Sequence, residues 1–250
     1  MKKLKHIITT SFNWGWLDST RNDINGKPVN TFAWLDRRVE LFEKYCLPSI
    51  ENQTNRDFTW HVIFDEKTPE NYYKKYEDVP NIYISFEALE HYIERIMKDD
   101  PHLYLLTSRL DNDDGLSTDY VNELHKVANR FIDKDEDKMF INFPVGFAIG
   151  SQVFKMWYRS NPFSALLEKV GNPGTLDSIL AYQTSKSPGF RGHGSYEKLW
   201  KTHQAITENP MWFHTLHESN LANKEQQLFS LVRREYIADY KNLPGFKYLI

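Results

Sequence analysis

Hydrophobic residues along the first 150 positions fall into two alternating patterns. Short runs of β-branched and aromatic residues predict strands, and longer stretches between them have apolar residues at helical spacing. We predict strands over residues 5–10, 58–64, 81–85, 103–107 and 139–143. Strands that alternate with helices are typical of an α/β protein with a mostly parallel central sheet flanked by helices. The run at 103–107 is apolar almost throughout, which predicts a central strand covered on both faces.

Three helices are predicted between these strands. The first covers residues 36–50, where apolar residues form one stripe, and Pro48 is expected to disturb its last turn. Ser85 is a candidate cap for the second helix, and Ser117 or Thr118 for the third. Amphipathic helices of this kind cover the faces of a parallel sheet.

The pattern changes after residue 154. Arg, Asn, Pro, Gly and His become frequent and strand alternation fades, so we predict a loop- and helix-rich C-terminal part over residues 155–250. No linker separates the two parts. The sequence therefore predicts a single domain over residues 1–250.

Composition and charge exclude several classes of function. The chain has 31 Lys and Arg against 34 Asp and Glu, so it lacks the basic excess of a nucleic-acid-binding protein. Its longest uncharged stretch, residues 139–154, is too short to span a bilayer, which leaves at most peripheral membrane association. The single cysteine, Cys46, cannot form an internal disulfide, and no export signal follows the N-terminal lysines. These features predict a cytoplasmic protein.

Polar residues follow three of the predicted strands. The carboxyl ends of parallel strands meet at one edge of a sheet, where open α/β sheets bind their ligands. Three acids, Asp111, Asp113 and Asp114, lie within four residues after the central strand. A hard divalent cation, Mg²⁺ or Mn²⁺, would offset their mutual repulsion, because such ions prefer oxygen ligands. The same residues are equally consistent with a solvated acidic turn that precedes a helix.

Two familiar motifs are excluded. If Gly115 takes the glycine position of a calcium-binding loop, Leu110 and Val121 fall where that loop needs acids. No Gly-Lys-Ser/Thr sequence follows a strand, and no complete G-x-G-x-x-G is present. A glycine-rich phosphate loop is therefore not predicted.

Six segments of the sequence resemble the putative rhamnosyltransferase family of bacteria. They are, in chain order, RVELFEKYCLPSI at 38–50, Gln53, DFTW at 57–60, FDEKTP at 64–69, TSRLDNDD at 107–114 and PMWFHTLHESN at 210–220. The resemblance implies a GT-A fold, a nucleoside-diphosphate sugar as donor and a divalent cation, Mn²⁺ or Mg²⁺. It also implies that residues 1–154 bind the nucleotide sugar and that residues 155–250 supply the acceptor side and C-terminal elements.

The resemblance implies roles for individual residues as well. Asp113 would be a direct metal ligand, and Asp111 would reach the ribose or the metal. His217 would be a further ligand, in preference to His214, which stands three residues earlier. Arg109 is placed to meet a phosphate with its planar guanidinium, and the alternative is a salt bridge to one of the adjacent acids.

Further residues are expected to line the substrate cleft. Asp65 would hydrogen-bond the base or ribose, and Thr10 and Ser11 would line the same pocket. The general base is assigned to Asp177, for which the alternative is a helix cap. Other positions that qualify as a base are Glu168, His193, Glu197 and His203, and the candidate platforms for a sugar ring are Trp14, Trp16, Trp157 and Trp212.

The sequence thus predicts a metal-dependent glycosyltransferase that moves a sugar from a nucleoside-diphosphate donor to a glycan or glycolipid acceptor. The family name suggests rhamnose as the sugar. Two alternatives stay open: a nucleotide-sugar binding protein without turnover, and a metal-dependent nucleotidyltransferase. Transfer is expected to invert the anomeric centre, because no segment is dedicated to a nucleophilic carboxylate. Asp113→Asn is expected to leave the fold intact, since the turn is predicted to be solvated.

Overall fold

The fold is built on two β-sheets. The computed structural model describes residues 4–97, 104–159, 161–170, 200–217, 233–237 and 243–249. A seven-stranded sheet has the order β10-β6-β9-β4-β1-β2-β3, and a five-stranded sheet has the order β12-β8-β7-β11-β5. The strands are β1 (Leu4–Ser11), β2 (Thr59–Ile63), β3 (Ile82–Ser85), β4 (Tyr104–Arg109), β5 (Gly115–Leu116), β6 (Lys138–Asn142), β7 (Val145–Ile149), β8 (Val153–Trp157), β9 (Ala165–Lys169), β10 (Thr202–Gln204), β11 (Trp212–Thr215) and β12 (Arg233–Tyr236).

Strand β1 lies at the centre of the parallel part of the larger sheet. It pairs in parallel with both β2 and β4, so that Ile8 stands beside Trp60 on one side and Ser108 on the other. Strand β3 extends this parallel set beyond β2, whereas β9 runs antiparallel between β4 and β6. The predicted α/β class with a mostly parallel central sheet is confirmed. The carboxyl ends of β1, β2 and β4 consequently meet at one edge.

The first predicted helix is divided into three parts: α1 (Phe32–Leu41), a π-helical segment (Phe42–Cys46) and α2 (Leu47–Glu51). Thr31 caps α1, because its hydroxyl oxygen accepts from the backbone N–H of Trp34. The π-helical segment lies before Pro48, whereas the disturbance was expected in the last turn of the helix. Pro48 has no N–H to donate one turn back, and the N–H of Leu47 reaches the carbonyl of Phe42, five residues earlier.

The other helices lie close to their predicted positions. They are α3 (Leu89–Met97) and α4 (Tyr120–Asp133). Helix α4 begins after Asp119, which makes no side-chain cap, while the Ser117 hydroxyl accepts from the Asp119 N–H. Among the described residues, no helix has the length and apolar character needed to cross a membrane.

The described residues after residue 154 include strands that were not predicted. Where helices and loops were expected after residue 154, the described residues form short strands that join both sheets. Strand β9 is inserted between β4 and β6, and β11 pairs in parallel with β7 and antiparallel with β5. Strands of three to five residues are too short to show a clear alternation of apolar and polar residues. The division at residue 154 stays a prediction.

Aromatic residues, which make up 15% of the chain, form much of the core. Phe12, Phe42, Trp60 and Phe64 are buried together beneath α1, with Phe12 stacked on Phe64 at 4.6 Å and Phe42 on Trp60 at 5.4 Å between ring centroids. On the opposite face, α3 packs against residues of β1, β2 and β4. Strand β4 is buried on both faces, as its apolar sequence predicts. Packing on both faces of the sheet fixes the positions of the carboxyl ends of β1, β2 and β4.

Candidate active site

The loops that follow β1 and β2 are tied together by Asn13. Its side-chain oxygen accepts from the backbone N–H of Asp65 at 3.0 Å, and its amide nitrogen donates to the hydroxyl of Thr68 at 2.9 Å. Both loops leave the sheet at the same edge, as the parallel pairing requires. The predicted convergence of these polar segments is therefore observed.

Asp65 organises the same two loops through its carboxylate. One oxygen accepts from the backbone N–H of Gly15 at 3.1 Å, and the other accepts from that of Lys67 at 2.9 Å. Gly15 has a φ of +69°, which a residue with a side chain rarely adopts. The carboxylate oxygens have further lone pairs that can accept from a ligand. The contact of Asp65 with a base or ribose stays a prediction.

Thr10 does not line an open pocket. The residue is fully buried, and its hydroxyl oxygen accepts from the indole N–H of Trp60 at 2.9 Å. The reason is strand alternation: Thr10 points into the core beneath α1, while its neighbour Ser11 is exposed at the strand end. The expectation for Thr10 is corrected, and that for Ser11 stays a prediction.

Arg109 and Asp111 form an ion pair at the exposed rim of the site. A guanidinium nitrogen of Arg109 lies 2.6 and 2.8 Å from the two carboxylate oxygens of Asp111. The side chains are 17% and 33% exposed, so both remain accessible to a ligand. The salt bridge is the alternative that the sequence left open for Arg109. Its contact with a phosphate stays a prediction.

Asp113, by contrast, is buried and holds two partners on one oxygen. Its Oδ2 accepts from Arg38 at 2.7 Å and lies 2.8 Å from Nε2 of His217. Burial alone would raise the pKa of the Asp113 carboxyl, but Arg38 and His217 hold that pKa well below its ordinary value. The carboxylate is therefore ionised at any physiological pH. The expectation of a solvated acidic turn is wrong for this residue.

His217 approaches Asp113 from the end of β11, although the two residues are 104 positions apart in the sequence. Its neighbour His214 contacts a different acid, since its Nδ1 lies 2.8 Å from Oδ2 of Asp114. Burial would lower the pKa of His214, but the Asp114 carboxylate raises it to about 9. The two histidines are thus assigned to two different carboxylates.

Asp114 is fully buried and fixes β11 to the acidic turn. Its Oδ1 accepts from the backbone N–H of Thr215 at 2.8 Å, and the Thr215 hydroxyl donates to the carbonyl oxygen of Asp113 at 2.6 Å. These bonds join two chain segments that are distant in sequence. The sequence indicated no role for Asp114 beyond its charge, because the partner strand was not predicted.

A family model described as "Putative rhamnosyl transferase" matches residues 29–227. The chain belongs to this family. Among curated proteins, none matches the sequence at a significant level. The match covers the whole acidic turn, Arg38, Asp65 and both histidines, whereas Ser11 and Asn13 precede the matched residues.

Several solved structures are similar to this rhamnosyl transferase family member at low identity. Residues 1–349 of S. aureus TarS, in complex with UDP-GlcNAc, are 14% identical, with a TM-score of 0.43 over 86% of this chain and 59% of that one. A putative nucleotide-diphospho-sugar transferase from Desulfovibrio desulfuricans G20 is 12% identical, with a TM-score of 0.39 over 88% and 84%. A cytidylyltransferase from Leptospira borgpetersenii is 10% identical, with a TM-score of 0.40 over 83% and 77%. The chain thus spans about three fifths of the TarS fragment.

The spacing of the Asp113 and His217 side chains suits a divalent cation. Two ligands about 2.1 Å from one ion and at right angles are separated by about 3 Å, close to the 2.8 Å between Oδ2 of Asp113 and Nε2 of His217. Of the two neighbouring carboxylates, Asp114 is fully buried and bonded to Thr215 and His214, whereas Asp111 is part-exposed. Within the described ranges, no three His, Cys, Asp or Glu side chains are already gathered as a metal site. Asp113 and His217 fit as a pair of ligands, with Asp111 as the candidate for a third.

Sequence reasoning missed Arg38 and Asn112. Arg38 donates to both Asp113 and the side-chain oxygen of Asn112, whose amide donates to the carbonyl of Phe12 at 2.9 Å. A signal for Arg38 was present in the sequence. It shares the apolar stripe of α1 with buried residues one turn away on either side, and a charge on such a stripe requires a buried partner.

The remaining candidates have different outcomes. Asp177, His193 and Glu197 lie outside the described residues. Glu168 is buried in β9 and paired with Lys138 at 3.0 Å, which does not suit a base in an open cleft. Trp212 is fully buried, and its indole N–H donates to the carbonyl of Phe143 at 2.7 Å. Trp212 is therefore a core residue and not a platform for a sugar.

Proposed function

We propose that this chain is a metal-dependent glycosyltransferase that moves a sugar from a nucleoside-diphosphate donor to a glycan or glycolipid acceptor. The observation that carries the proposal is the 2.8 Å contact between Asp113 and His217 at the carboxyl end of β4. An ionised carboxylate and an imidazole nitrogen at this separation suit one divalent cation, Mn²⁺ or Mg²⁺. Membership of the family supports transfer of a sugar, and its description favours rhamnose.

Each part of the site has a separate task in this proposal. Asp113 and His217 would hold the cation, with Asp111 as a further ligand or a contact to the ribose. A bound divalent cation would stabilise the negative charge that develops on a diphosphate leaving group. Arg109, at the exposed rim, would exchange its contact with Asp111 for a phosphate oxygen, which a guanidinium binds in a planar fork.

The nucleoside side of the site would be formed by the loops after β1 and β2. Asn13 and the carboxylate of Asp65 hold these loops in one arrangement through bonds to backbone N–H groups. A preformed pocket loses little conformational entropy when a ligand binds. Ser11 is exposed at the same place and would contact the nucleoside directly.

We also propose a location for the protein and a general base for the reaction. The only cysteine, Cys46, is a buried free thiol, which suits the reducing conditions of the cytoplasm. We propose Asp177 as the general base, because the Gly- and Pro-containing sequence at 171–176 is typical of a loop that leads into a helix, whose first turn would point into the cleft. A surface acceptor such as a glycolipid would require only peripheral contact with a membrane.

A thermal-shift panel tests the proposal. Nucleoside diphosphates and nucleotide sugars, each with and without Mn²⁺, are expected to stabilise the wild-type chain only in the presence of the metal. Ligand at a hundred times its dissociation constant adds about 2.7 kcal/mol of stability, equivalent to about 5–10 °C for a chain of this size. Stabilisation by nucleoside triphosphates alone would favour a nucleotidyltransferase instead.

His217→Ala is expected to remove the metal-dependent shift, because Asp113 would lose the neighbouring nitrogen ligand. His91→Ala is the matched control, since His91 is an exposed histidine on α3. A shift that persists in His217→Ala would contradict the role of this histidine in the site.

A further inference from the structure

Arg38 carries a positive charge on the buried side of α1. The residue is only 7% exposed, and its guanidinium lies 5.4 Å from the ring centroid of Trp34. Trp34 in turn is stacked on Trp16, with 4.8 Å between ring centroids. A buried cation is tolerated only with a compensating anion, and here the anion is the Asp113 carboxylate.

The same carboxylate oxygen has two partners of different kinds. Oδ2 of Asp113 accepts from Arg38, which is a permanent cation, and it also contacts His217, the other residue of the candidate metal pair. A divalent ion bound at this oxygen would place its two positive charges beside the guanidinium in a buried environment. Like charges that are close together and poorly solvated repel each other strongly, so Arg38 and the divalent ion are not expected to contact Asp113 at the same time.

The contacts of Arg38 are also incomplete. Its Nε–H is buried and has no hydrogen-bond partner among the described residues, and the same is true of the indole N–H of Trp34. Buried donors without acceptors are unfavourable. The resting position of Arg38 is therefore held mainly by Asp113 and Asn112, and it is not the best environment for the guanidinium.

We propose that Arg38 is a resident counter-ion that competes with the divalent cation for Asp113 and thereby lowers the metal affinity of the site. The inference rests on the metal site of the proposed function. When the cation binds, Arg38 releases the carboxylate, and its contact with Trp34 changes. Arg38 is thus a positioning residue: it keeps Asp113 ionised and oriented until the metal replaces it.

Direct metal titration of variants tests this competition. Mn²⁺ binding is measured by electron paramagnetic resonance for the wild type, Arg38→Gln and Arg38→Lys. Loss of the charge in Arg38→Gln is expected to tighten Mn²⁺ binding at least tenfold, whereas Arg38→Lys keeps the charge and is expected to stay near the wild type. Arg37→Gln is the matched control, because Arg37 is an exposed neighbour that pairs with Glu40.

Thermal unfolding provides a second readout that a purely structural role would not produce. Arg38→Gln is expected to melt below the wild type without metal, and to gain more from Mn²⁺ than the wild type gains. If Arg38→Gln does not fold, Asn112→Ala decides, since it loosens Arg38 without removing the charge and should tighten Mn²⁺ binding severalfold.

Equal or weaker Mn²⁺ binding in folded Arg38→Gln or, where that variant does not fold, in Asn112→Ala would overturn the competition, as would no Mn²⁺ binding in any of the proteins. Nucleotide binding separates a failure of this inference from a failure of the proposed function. If nucleotide sugars still stabilise the wild type, only the role of Arg38 fails. If no nucleotide or nucleotide sugar binds under any condition, the proposed function fails as well.

Discussion

Two histidines form a buried chain of hydrogen bonds behind the site. Asn55 donates to Nδ1 of His125, so Nε2 of His125 carries the proton and donates to Nδ1 of His6 at 3.0 Å. His6 then donates from Nε2 to the hydroxyl of Ser108 at 2.8 Å. This direction holds only while both rings are neutral. Ser108 immediately precedes Arg109, so the chain supports the end of β4.

Acid is expected to destabilise the protein through this pair. Burial, together with the charge of His125, lowers the pKa of His6 well below its ordinary value, and burial lowers the pKa of His125. Because the folded pKa values are depressed, the stabilisation is complete above about pH 6.5 and is lost as the pH falls, by at most about 1.4 kcal/mol per pH unit for each histidine. Urea unfolding at pH 7.5 to 5 measures the slope.

His125→Gln serves as the comparison for this measurement. It removes one of the two titrating groups, so its stability should depend less steeply on pH than that of the wild type. A free energy of unfolding that is constant from pH 7 to 5 would contradict the assignment of two neutral buried histidines.

Asp113→Asn is now expected to destabilise the fold, in contrast with the expectation from the sequence. The amide would leave the buried Arg38 without its counter-charge, and breaking such a pair costs about 3–5 kcal/mol. Asp111→Asn makes the same chemical change in a part-exposed pair and should cost about 0–1 kcal/mol. Chemical denaturation of both variants makes the comparison, and equal losses would contradict the buried pairing.

At the scale of elements, strand β7 requires a glycine where the Trp212 ring of the neighbouring strand β11 packs against it. A Cβ added at Gly146 would lie 2.1 Å from the Trp212 ring, which is itself held by a hydrogen bond to Phe143 and by stacking on Phe163 at 4.8 Å. The ring cannot move aside without losing these contacts. The close approach explains why the smallest residue occupies this position in a buried strand.

Gly146→Ala is expected to destabilise the protein by about 1–3 kcal/mol, the usual cost of overpacking a core. The test is a double-mutant cycle with Trp212→Phe, in which the smaller ring should absorb part of the penalty. Thermal or urea unfolding of the four proteins gives the coupling. Additive losses would show that Gly146 and Trp212 do not interact.

Sequence patterns were sufficient for elements that are long or strongly periodic. Strands β1 to β4 and helix α4 lie close to their predictions, because their apolar runs bury one face or both. The short strands after residue 154 were missed, since their pairing is decided by partners that are distant in sequence. The π-helical segment was also missed, because the missing N–H of Pro48 acts on the preceding turn.

The site was partly predictable for the same reason. Asp111 and Asp113 were predicted because they directly follow the most apolar strand, and His217 was predicted only through a family resemblance; their roles as ligands stay predictions. Nothing local indicates that Arg38 and Asp113 meet, because 75 residues separate them. Thr10 was misplaced because the sequence does not show which face of the strand is covered by α1, and strand alternation turns this side chain into the core.

At the scale of the whole molecule, each of the three acids in the turn after β4 has a partner among the described residues. Asp111 is paired with Arg109, Asp113 with Arg38 and His217, and Asp114 with His214. A double displacement needs an unoccupied carboxylate beneath the sugar to act as nucleophile. Cys46 does not replace it, because burial, with the nearby acids, raises its pKa well above the ordinary value.

Transfer is therefore expected to occur by single displacement and to invert the anomeric centre. The cation-holding pair would stabilise the leaving diphosphate, and a base such as Asp177 would take the proton of the acceptor hydroxyl. NMR of the first-formed product, before the anomers equilibrate, measures the outcome, and Asp177→Asn should reduce the rate by about 10²-fold or more if this residue is the base. Retention of the donor's configuration would rule out both the single displacement and the role of Asp177.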